Sequence, residues 1–235
     1  MSRERKDLQN TASSSEVDSF LRQMASTPKR PAAGGRLIFA MDATASREPT
    51  WDRASQIQAA MFSETANLGG LSVQLCFYRD FLEFQASPWC TEADALRKRM
   101  SRVHCAAGLT QIGRVLRYAL AEHERSRVNA LVFVGDCMEE NPDELAGLAG
   151  KLGLTGLPVF VFQEGRDPAA EQSFRQIARL SGGAYCPFDA GSPQTLRDLL
   201  SAVAVFAAGG RQALEQFARQ RGGTVLRLTH QITRG

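Results

Sequence analysis

Oxygen-bearing side chains follow two apolar runs of the chain. The run RLIFAM leads into DATAS, which places the carboxylate of Asp42 and the hydroxyls of Thr44 and Ser46 at alternate positions of one turn. The run ALVFV leads into a Gly-Asp pair that ends at Asp136, and a further hydroxyl, Thr110, lies between the two runs. Hard oxygen donors with two negative charges are the ligands that Mg²⁺, Mn²⁺ or Ca²⁺ prefer. The pattern predicts a divalent-metal site formed by Asp42, Thr44, Ser46, Thr110 and Asp136.

Strand-like and helix-like segments alternate along the chain. Short apolar runs rich in Val, Phe and Leu are separated by longer amphipathic segments, and Asn141, Asp167 and Ser192 each precede a proline, as helix-capping residues do. The run FLEFQA follows LSVQLCFY after a short turn, which is typical of an antiparallel edge strand. We expect an α/β fold with a doubly wound, mostly parallel six-stranded sheet, one antiparallel edge strand and helices on both faces.

This topology explains why the oxygen donors should meet. Doubly wound sheets bind ligands beyond the carboxyl ends of their strands, near the point where the strand order reverses. The first and fourth predicted strands end at Asp42 and Asp136, and the loop that carries Thr110 faces the same edge. Neither G-x-G-x-x-G nor G-x-x-x-x-G-K-[ST] occurs in the chain, which disfavours a nucleotide-binding fold of either type.

Composition narrows the function classes. The chain has 235 residues, 43% of them hydrophobic, and a formal net charge of only +3, so no overall field attracts it to nucleic acid or to a membrane. The N-terminus MSRERKDLQN has no apolar segment behind it, and the five cysteines form no C-x-x-C pair. We therefore expect a cytoplasmic protein without a disulfide framework.

Charge and pattern divide the chain into three parts. We expect a flexible N-terminal segment over residues 1–33, an α/β domain over 34–208 and a C-terminal helix and strand extension over 209–235. The excess of positive charge lies in the two terminal segments. An amphipathic stretch around Phe20 could fold as a short helix against the domain or a partner.

The motif segments resemble the metal-ion-dependent adhesion site (MIDAS) of the von Willebrand factor A (VWA) domain. That pattern is D-x-S-x-S, then a distant Thr, then a distant Asp, and DATAS, Thr110 and Asp136 match it in order. The resemblance covers about residues 34–208 and departs in Thr44, which keeps the hydroxyl of the usual serine. It implies that Thr44, Ser46 and Thr110 bind the metal directly, while Asp42 and Asp136 act largely through water.

The resemblance also implies a function. In the family, a carboxylate from a protein partner completes the metal's coordination, so we expect an adapter without catalytic turnover that binds a partner's Asp or Glu. Soluble microbial members often work beside AAA-type ATPases, which suggests a partner of that class.

Two alternatives remain open from the residues. The first is a metal-free VWA scaffold. The second is a Mg²⁺-dependent phosphatase similar to the haloacid dehalogenases, with Asp42 as nucleophile and with Thr110, Asp136 and Glu140 in support. The absence of a lysine between Thr110 and Asp136 argues against the phosphatase. The roles of Glu139, Glu140, Cys105 and Cys137 are undecided, and a redox-sensitive thiol near the metal is conceivable.

Overall fold

The computed structural model describes residues 19–20, 23, 34–44, 51, 70–188 and 193–221. The elements whose bounds the structure describes are six strands and five helices, which confirms the predicted α/β fold. In chain order they are β1 (Gly35–Asp42), β2 (Leu71–Arg79), β3 (Glu83–Ala86), α1 (Ala93–Met100), α2 (Ile112–Arg125), β4 (Ala130–Gly135), α3 (Pro142–Thr155), β5 (Val159–Glu164), α4 (Pro168–Ser181), β6 (Ala184–Phe188) and α5 (Pro193–Arg221).

The sheet has the strand order β3-β2-β1-β4-β5-β6. All neighbouring strands are parallel except β2 and β3, so β3 is the predicted antiparallel edge strand. The chain fills the sheet from β1 towards β3 and then from β4 towards β6, and the strand order therefore reverses between β1 and β4. These are the strands that end at Asp42 and just before Asp136.

Side-chain alternation along the strands builds a core on each face of the sheet. In β1, Phe39 and Met41 pack with α1 and α5, whereas Ile38 and Ala40 pack with α2, α3 and α4. Parallel strands that are covered on both faces read as continuous apolar runs, and this is why β1 and β4 were recognisable in the sequence. The rigid double layer fixes the positions of the strand ends.

Two of the predicted helix starts show the expected caps. Asn141 Oδ1 accepts hydrogen bonds from the amides of Asp143 (2.9 Å) and Glu144 (3.4 Å) at the start of α3. Asp167 Oδ1 accepts one from the amide of Ala170 (2.6 Å) at the start of α4. Each cap is followed by proline at the first helical position, where its missing N–H removes no helical bond. Helix α5 begins at Pro193.

The terminal parts of the chain are described only in places. Phe20 is helical and fully buried, with its ring centroid 5.3 Å from that of Phe162, so it packs in the core although it belongs to the segment predicted as flexible. Helix α5 continues past residue 208 and contains a non-helical Gly210 (φ 70°, ψ −162°). Ser46 lies outside the described residues, as do residues 222–235 of the predicted C-terminal extension. Across the described ranges, no helix is both long and apolar enough to span a membrane.

Candidate metal centre

Asp42 lies at the carboxyl end of β1 and is fully buried. Its Oδ1 accepts a hydrogen bond from the amide of Thr44 (2.7 Å), which turns the chain directly after the strand in the way that Asx turns do. The amide of Ala43 donates to Tyr78 O (2.9 Å), and the carbonyl of Ala43 accepts from the amide of Ala106 (3.1 Å). The start of the DATAS loop is thus held between β2 and the loop that leads to α2.

Asp136 follows β4 and comes close to Asp42. One ligand atom from each of Asp42, Asp136 and Cys137 lies within 4.8 Å of the other two. We call these three residues the acid–thiol cluster. The structure thus brings the two predicted carboxylates together at the switch point of the sheet and places beside them the thiol of Cys137, whose role the sequence left undecided. That these residues bind a metal stays a prediction.

Thr110 is buried in the loop before α2 and is tied to the loop after β4. Its amide donates to Glu139 Oε2 (3.1 Å), and its Oγ1 accepts a hydrogen bond from the amide of Glu139 (3.0 Å). A threonine hydroxyl has two lone pairs, so one acceptor position remains for a cation after this bond. The pair brings Thr110 to the loop that carries Asp136, as the topology predicted.

Glu140 caps helix α2 across the site. Its two carboxylate oxygens accept hydrogen bonds from the amides of Ile112 and of Gly113, the latter at 2.8 Å. Negative charge at a helix N-terminus compensates the positive end of the helix dipole. Gly113 makes room for the carboxylate, because a Cβ there would lie 3.0 Å from Glu140 Oε2. Both oxygens of Glu140 are therefore engaged in a structural contact, which argues against the supporting role it would have in the phosphatase alternative.

Acidic groups are concentrated around this edge of the sheet. Burial raises the pKa of Cys137 to about 12, and the charge of Asp136 adds to the effect. Burial also raises the pKa of Tyr78 well above its ordinary value, with further contributions from Asp42 and Glu140. Tyr78 stands opposite Asp42 in the β1–β2 register. The two carboxylates and the thiol, in an environment of excess negative charge, form a donor set that fits a divalent cation, and Thr110 carries a further hydroxyl on the neighbouring loop.

The turn between β2 and β3 lies next to the Thr110 loop. Gln111 Nε2 donates to the carbonyls of Arg79, Asp80 and Glu83 at 3.3 to 3.4 Å. Asp80 has a positive φ of 54° and forms a bridge with Gly108, where a Cβ would lie only 2.4 Å from the Asp80 backbone. Only glycine therefore allows these two backbones to approach so closely.

This contact presents exposed apolar side chains beside the candidate metal centre. Phe81 is 68% exposed, Leu82 is 82% exposed and Leu109, which precedes Thr110, is 48% exposed. We call these three residues the apolar rim. The sequence predicted the hairpin but not this exposure, because period-2 alternation distinguishes two strand faces and says nothing about the residues of a turn.

Comparisons with known proteins show similarity at the level of the fold. No protein-family model matches the chain, and no curated protein matches it. Solved structures, in contrast, are similar to it in fold. An aerotolerance-related membrane protein from Bacteroides fragilis NCTC 9343 is 16% identical, with a TM-score of 0.54 and coverage of 72% of this chain and 98% of that one.

Two further structures bear on the motif. The SpRpn10 VWA domain is 14% identical, with a TM-score of 0.54 and coverage of 75% of this chain and 97% of that one. Proximal thread matrix protein 1 from the mussel byssus, solved with a zinc-occupied MIDAS motif, is 15% identical, with a TM-score of 0.57, and the match covers 74% of this chain and 47% of that one. At these identities the likeness concerns the fold. The chain therefore has a von Willebrand factor A-like α/β fold.

Proposed function

We propose that this chain is a protein-binding domain that holds a divalent metal ion between Asp42 and Asp136 and uses it to bind a carboxylate of a partner. The observation that carries the proposal is the convergence of these two carboxylates at the switch point of the sheet. Thr44, Ser46 and Thr110 would complete the protein's share of the ligands. The metal would supply a positive charge that a carboxylate from outside the chain can approach.

The apolar rim favours a protein as the partner. Phe81 and Leu82 project from a turn whose carbonyls are held by Gln111 and Arg114, so they are attached to the same loop that carries Thr110. Exposed apolar side chains that cluster beside a polar site are characteristic of protein interaction surfaces. A partner with an acidic residue flanked by apolar ones would match both features.

The similar structures support the same proposed function. One of them is a VWA domain, and another contains a metal-occupied MIDAS motif. The family resemblance adds an AAA-type ATPase as the partner class to test first. We propose no catalytic turnover, because metal coordination and helix capping would together account for the described site residues.

A capture experiment tests this function. The full chain is immobilised and exposed to a lysate of its source cells with Mg²⁺, with Zn²⁺ or with EDTA, and bound proteins are identified by mass spectrometry. We expect one set of partners that requires a divalent metal ion and is lost in Asp136→Ala. Leu82→Ser should weaken capture, whereas Leu154→Ser should not, because Leu154 is 91% exposed but lies on α3.

Two outcomes would support the alternatives instead. Equal capture with either metal ion and with EDTA would contradict metal bridging and favour the metal-free scaffold. Hydrolysis of p-nitrophenyl phosphate by the wild type that is lost in Asp42→Asn would favour the phosphatase.

A further inference from the structure

Cys137 differs from the other cysteines of the described chain in what surrounds it. Cys76, Cys90 and Cys186 are buried members of the two apolar cores, and half-buried Cys105 packs against one of them. Cys137 is also half-buried but belongs to neither described core. It lies instead among carboxylates. Apolar packing therefore does not account for the placement of this thiol.

The sulfur of Cys137 lies close to both carboxylates of the candidate metal centre. Its Sγ lies within 4.8 Å of a carboxylate oxygen from each of Asp42 and Asp136. Zinc bonds of about 2.0 Å to oxygen and about 2.3 Å to sulfur place neighbouring ligand atoms roughly 3.5 Å apart in a tetrahedral site. Small rotations about the side-chain bonds would bring the three ligand atoms from within 4.8 Å of one another to this spacing. The sulfur therefore stands among the oxygens in a position from which it can reach the same ion.

A sulfur ligand changes which ion such a site prefers. Mg²⁺ is a hard cation that binds oxygen and gains little from a thiolate, whereas Zn²⁺ and Co²⁺ accept sulfur and oxygen ligands together. Thiolate ligands are a main source of zinc selectivity in protein sites. The oxygen donors alone led to the expectation of Mg²⁺, and Cys137 alters that expectation.

We propose that Cys137 is a direct ligand of the metal held by Asp42 and Asp136, and that its sulfur makes the centre select Zn²⁺ over Mg²⁺. This inference rests on the proposed function, since it requires that a metal binds between the two carboxylates. It adds the class of metal and a ligand that the D-x-[ST]-x-S, Thr and Asp pattern does not contain.

Cobalt substitution tests the sulfur bond directly. Co²⁺ replaces Zn²⁺ in mixed sulfur and oxygen sites and shows an intense thiolate-to-metal charge-transfer absorption only when a cysteine is bound. The full-length chain, kept reduced with a phosphine, is titrated with Co²⁺ as wild type, Cys137→Ser and Cys105→Ser. We expect the band in the wild type and in Cys105→Ser and its loss in Cys137→Ser.

Competition between Zn²⁺ and Mg²⁺ gives a second readout. We expect Cys137→Ser to lower the preference for Zn²⁺ at least about tenfold, which is the loss that even outer-shell partners of a metal cause. Cys137→Asp should restore tight binding with a smaller preference for Zn²⁺ than the wild type shows, because it replaces the soft ligand with a hard one. Circular dichroism of each variant checks that the fold is kept.

The outcomes separate this inference from the proposed function. Co²⁺ binding without a charge-transfer band, or an unchanged Zn²⁺ preference in a folded Cys137→Ser variant, would overturn the role of Cys137 and leave a metal site of oxygen ligands. Failure of the wild type to bind Zn²⁺, Co²⁺ or Mg²⁺ would overturn both.

Discussion

Thr110 and Glu139 hydrogen-bond each other twice, although 29 residues separate them in the chain. The amide of Thr110 donates to the Glu139 carboxylate, and the amide of Glu139 donates to the Thr110 hydroxyl. The first bond holds the loop before α2, and the second holds the loop after β4. The position of Thr110 relative to Asp136 therefore depends on this pair.

Removing the Thr110 hydroxyl should weaken both the fold and the metal site. Thr110→Val leaves the Glu139 amide without its acceptor, and a buried donor that loses its partner costs about 1 to 3 kcal/mol of unfolding free energy. We expect that loss in urea unfolding without metal, together with weaker Mn²⁺ binding. Thr110→Ser keeps the oxygen and should bind Mn²⁺ nearly as the wild type does. If Thr110→Val kept the unfolding free energy and the Mn²⁺ affinity of the wild type, this would contradict the role given to the Thr110–Glu139 pair.

The space at Gly113 is needed by the Glu140 cap. In Gly113→Ala the new Cβ would lie 3.0 Å from Glu140 Oε2 and 3.3 Å from Arg117 Nη2, so the carboxylate would have to shift by a few tenths of an ångström. We expect a less stable protein with lower Mn²⁺ affinity, because the loop that carries Asp136 moves with Glu140.

Gly147→Ala is the matched control for this substitution. Gly147 lies inside α3, and a Cβ there meets no atom within 4 Å. Alanine is favoured over glycine in a helix interior by about 0.5 to 1 kcal/mol, so this variant should unfold at higher urea with unchanged Mn²⁺ binding. Equal stabilisation in Gly113→Ala and Gly147→Ala would show that the Glu140 cap does not need the space at Gly113.

Glu140 should give the protein a specific pH dependence. Burial raises the pKa of its carboxyl in the folded state, and this effect exceeds the opposite one of the hydrogen bonds from Gly113 and Ile112. The folded protein thus holds this proton more tightly than the unfolded chain does. The resulting stabilisation is present below the ordinary glutamate pKa of about 4.3 and is lost as the pH rises through the raised value.

Unfolding free energies of wild type and Glu140→Gln, measured in urea across the acid range, check this sign. We expect the wild type to lose stability relative to Glu140→Gln as the pH rises from about 4 towards neutrality. Glu124→Gln, at the exposed far end of α2, serves as the control and should follow the wild type. Parallel profiles for wild type and Glu140→Gln would be the contrary result.

Phe20 should contribute to stability as a core residue. It is fully buried, and its ring lies 5.3 Å from that of Phe162 and 6.1 Å from that of Phe160. Phe20→Ala should lower the unfolding free energy by about 3 to 5 kcal/mol. Phe81→Ala removes an exposed phenylalanine and should change it by less than about 0.5 kcal/mol. Similar small effects of both substitutions would mean that residue 20 is not docked in the core.

The sequence predicted the structure correctly where a local residue pattern determines it. Apolar runs predicted the strands, cap-proline pairs predicted helix starts at Asn141 and Asp167, and the parallel topology then placed Asp42 and Asp136 at one edge. These inferences needed only short-range periodicity and the rule that strand ends meet at the switch point.

The finer contacts of the centre depend on long-range packing and were not predictable in this way. Gln111, the residue before α2, makes no side-chain cap, and the cap comes from Glu140, 27 residues beyond Gly113. No local signal links such positions. The closeness of Cys137 to Asp42 likewise depends on the pairing of β1 with β4, and the exposure of Phe81 depends on how the β2–β3 turn docks on Gly108.

Electron paramagnetic resonance titration of Mn²⁺ into chelator-stripped protein tests the metal centre most directly, because free and bound Mn²⁺ give separable signals. The wild type is compared with Asp42→Asn, Asp136→Asn and Asp94→Asn, whose carboxylate is exposed on α1. The proposed centre predicts saturable binding of a single ion in the wild type and in Asp94→Asn and its loss in the other two variants. Absence of binding at millimolar Mn²⁺, or undiminished binding in Asp42→Asn and Asp136→Asn, would contradict a metal centre at this edge of the sheet.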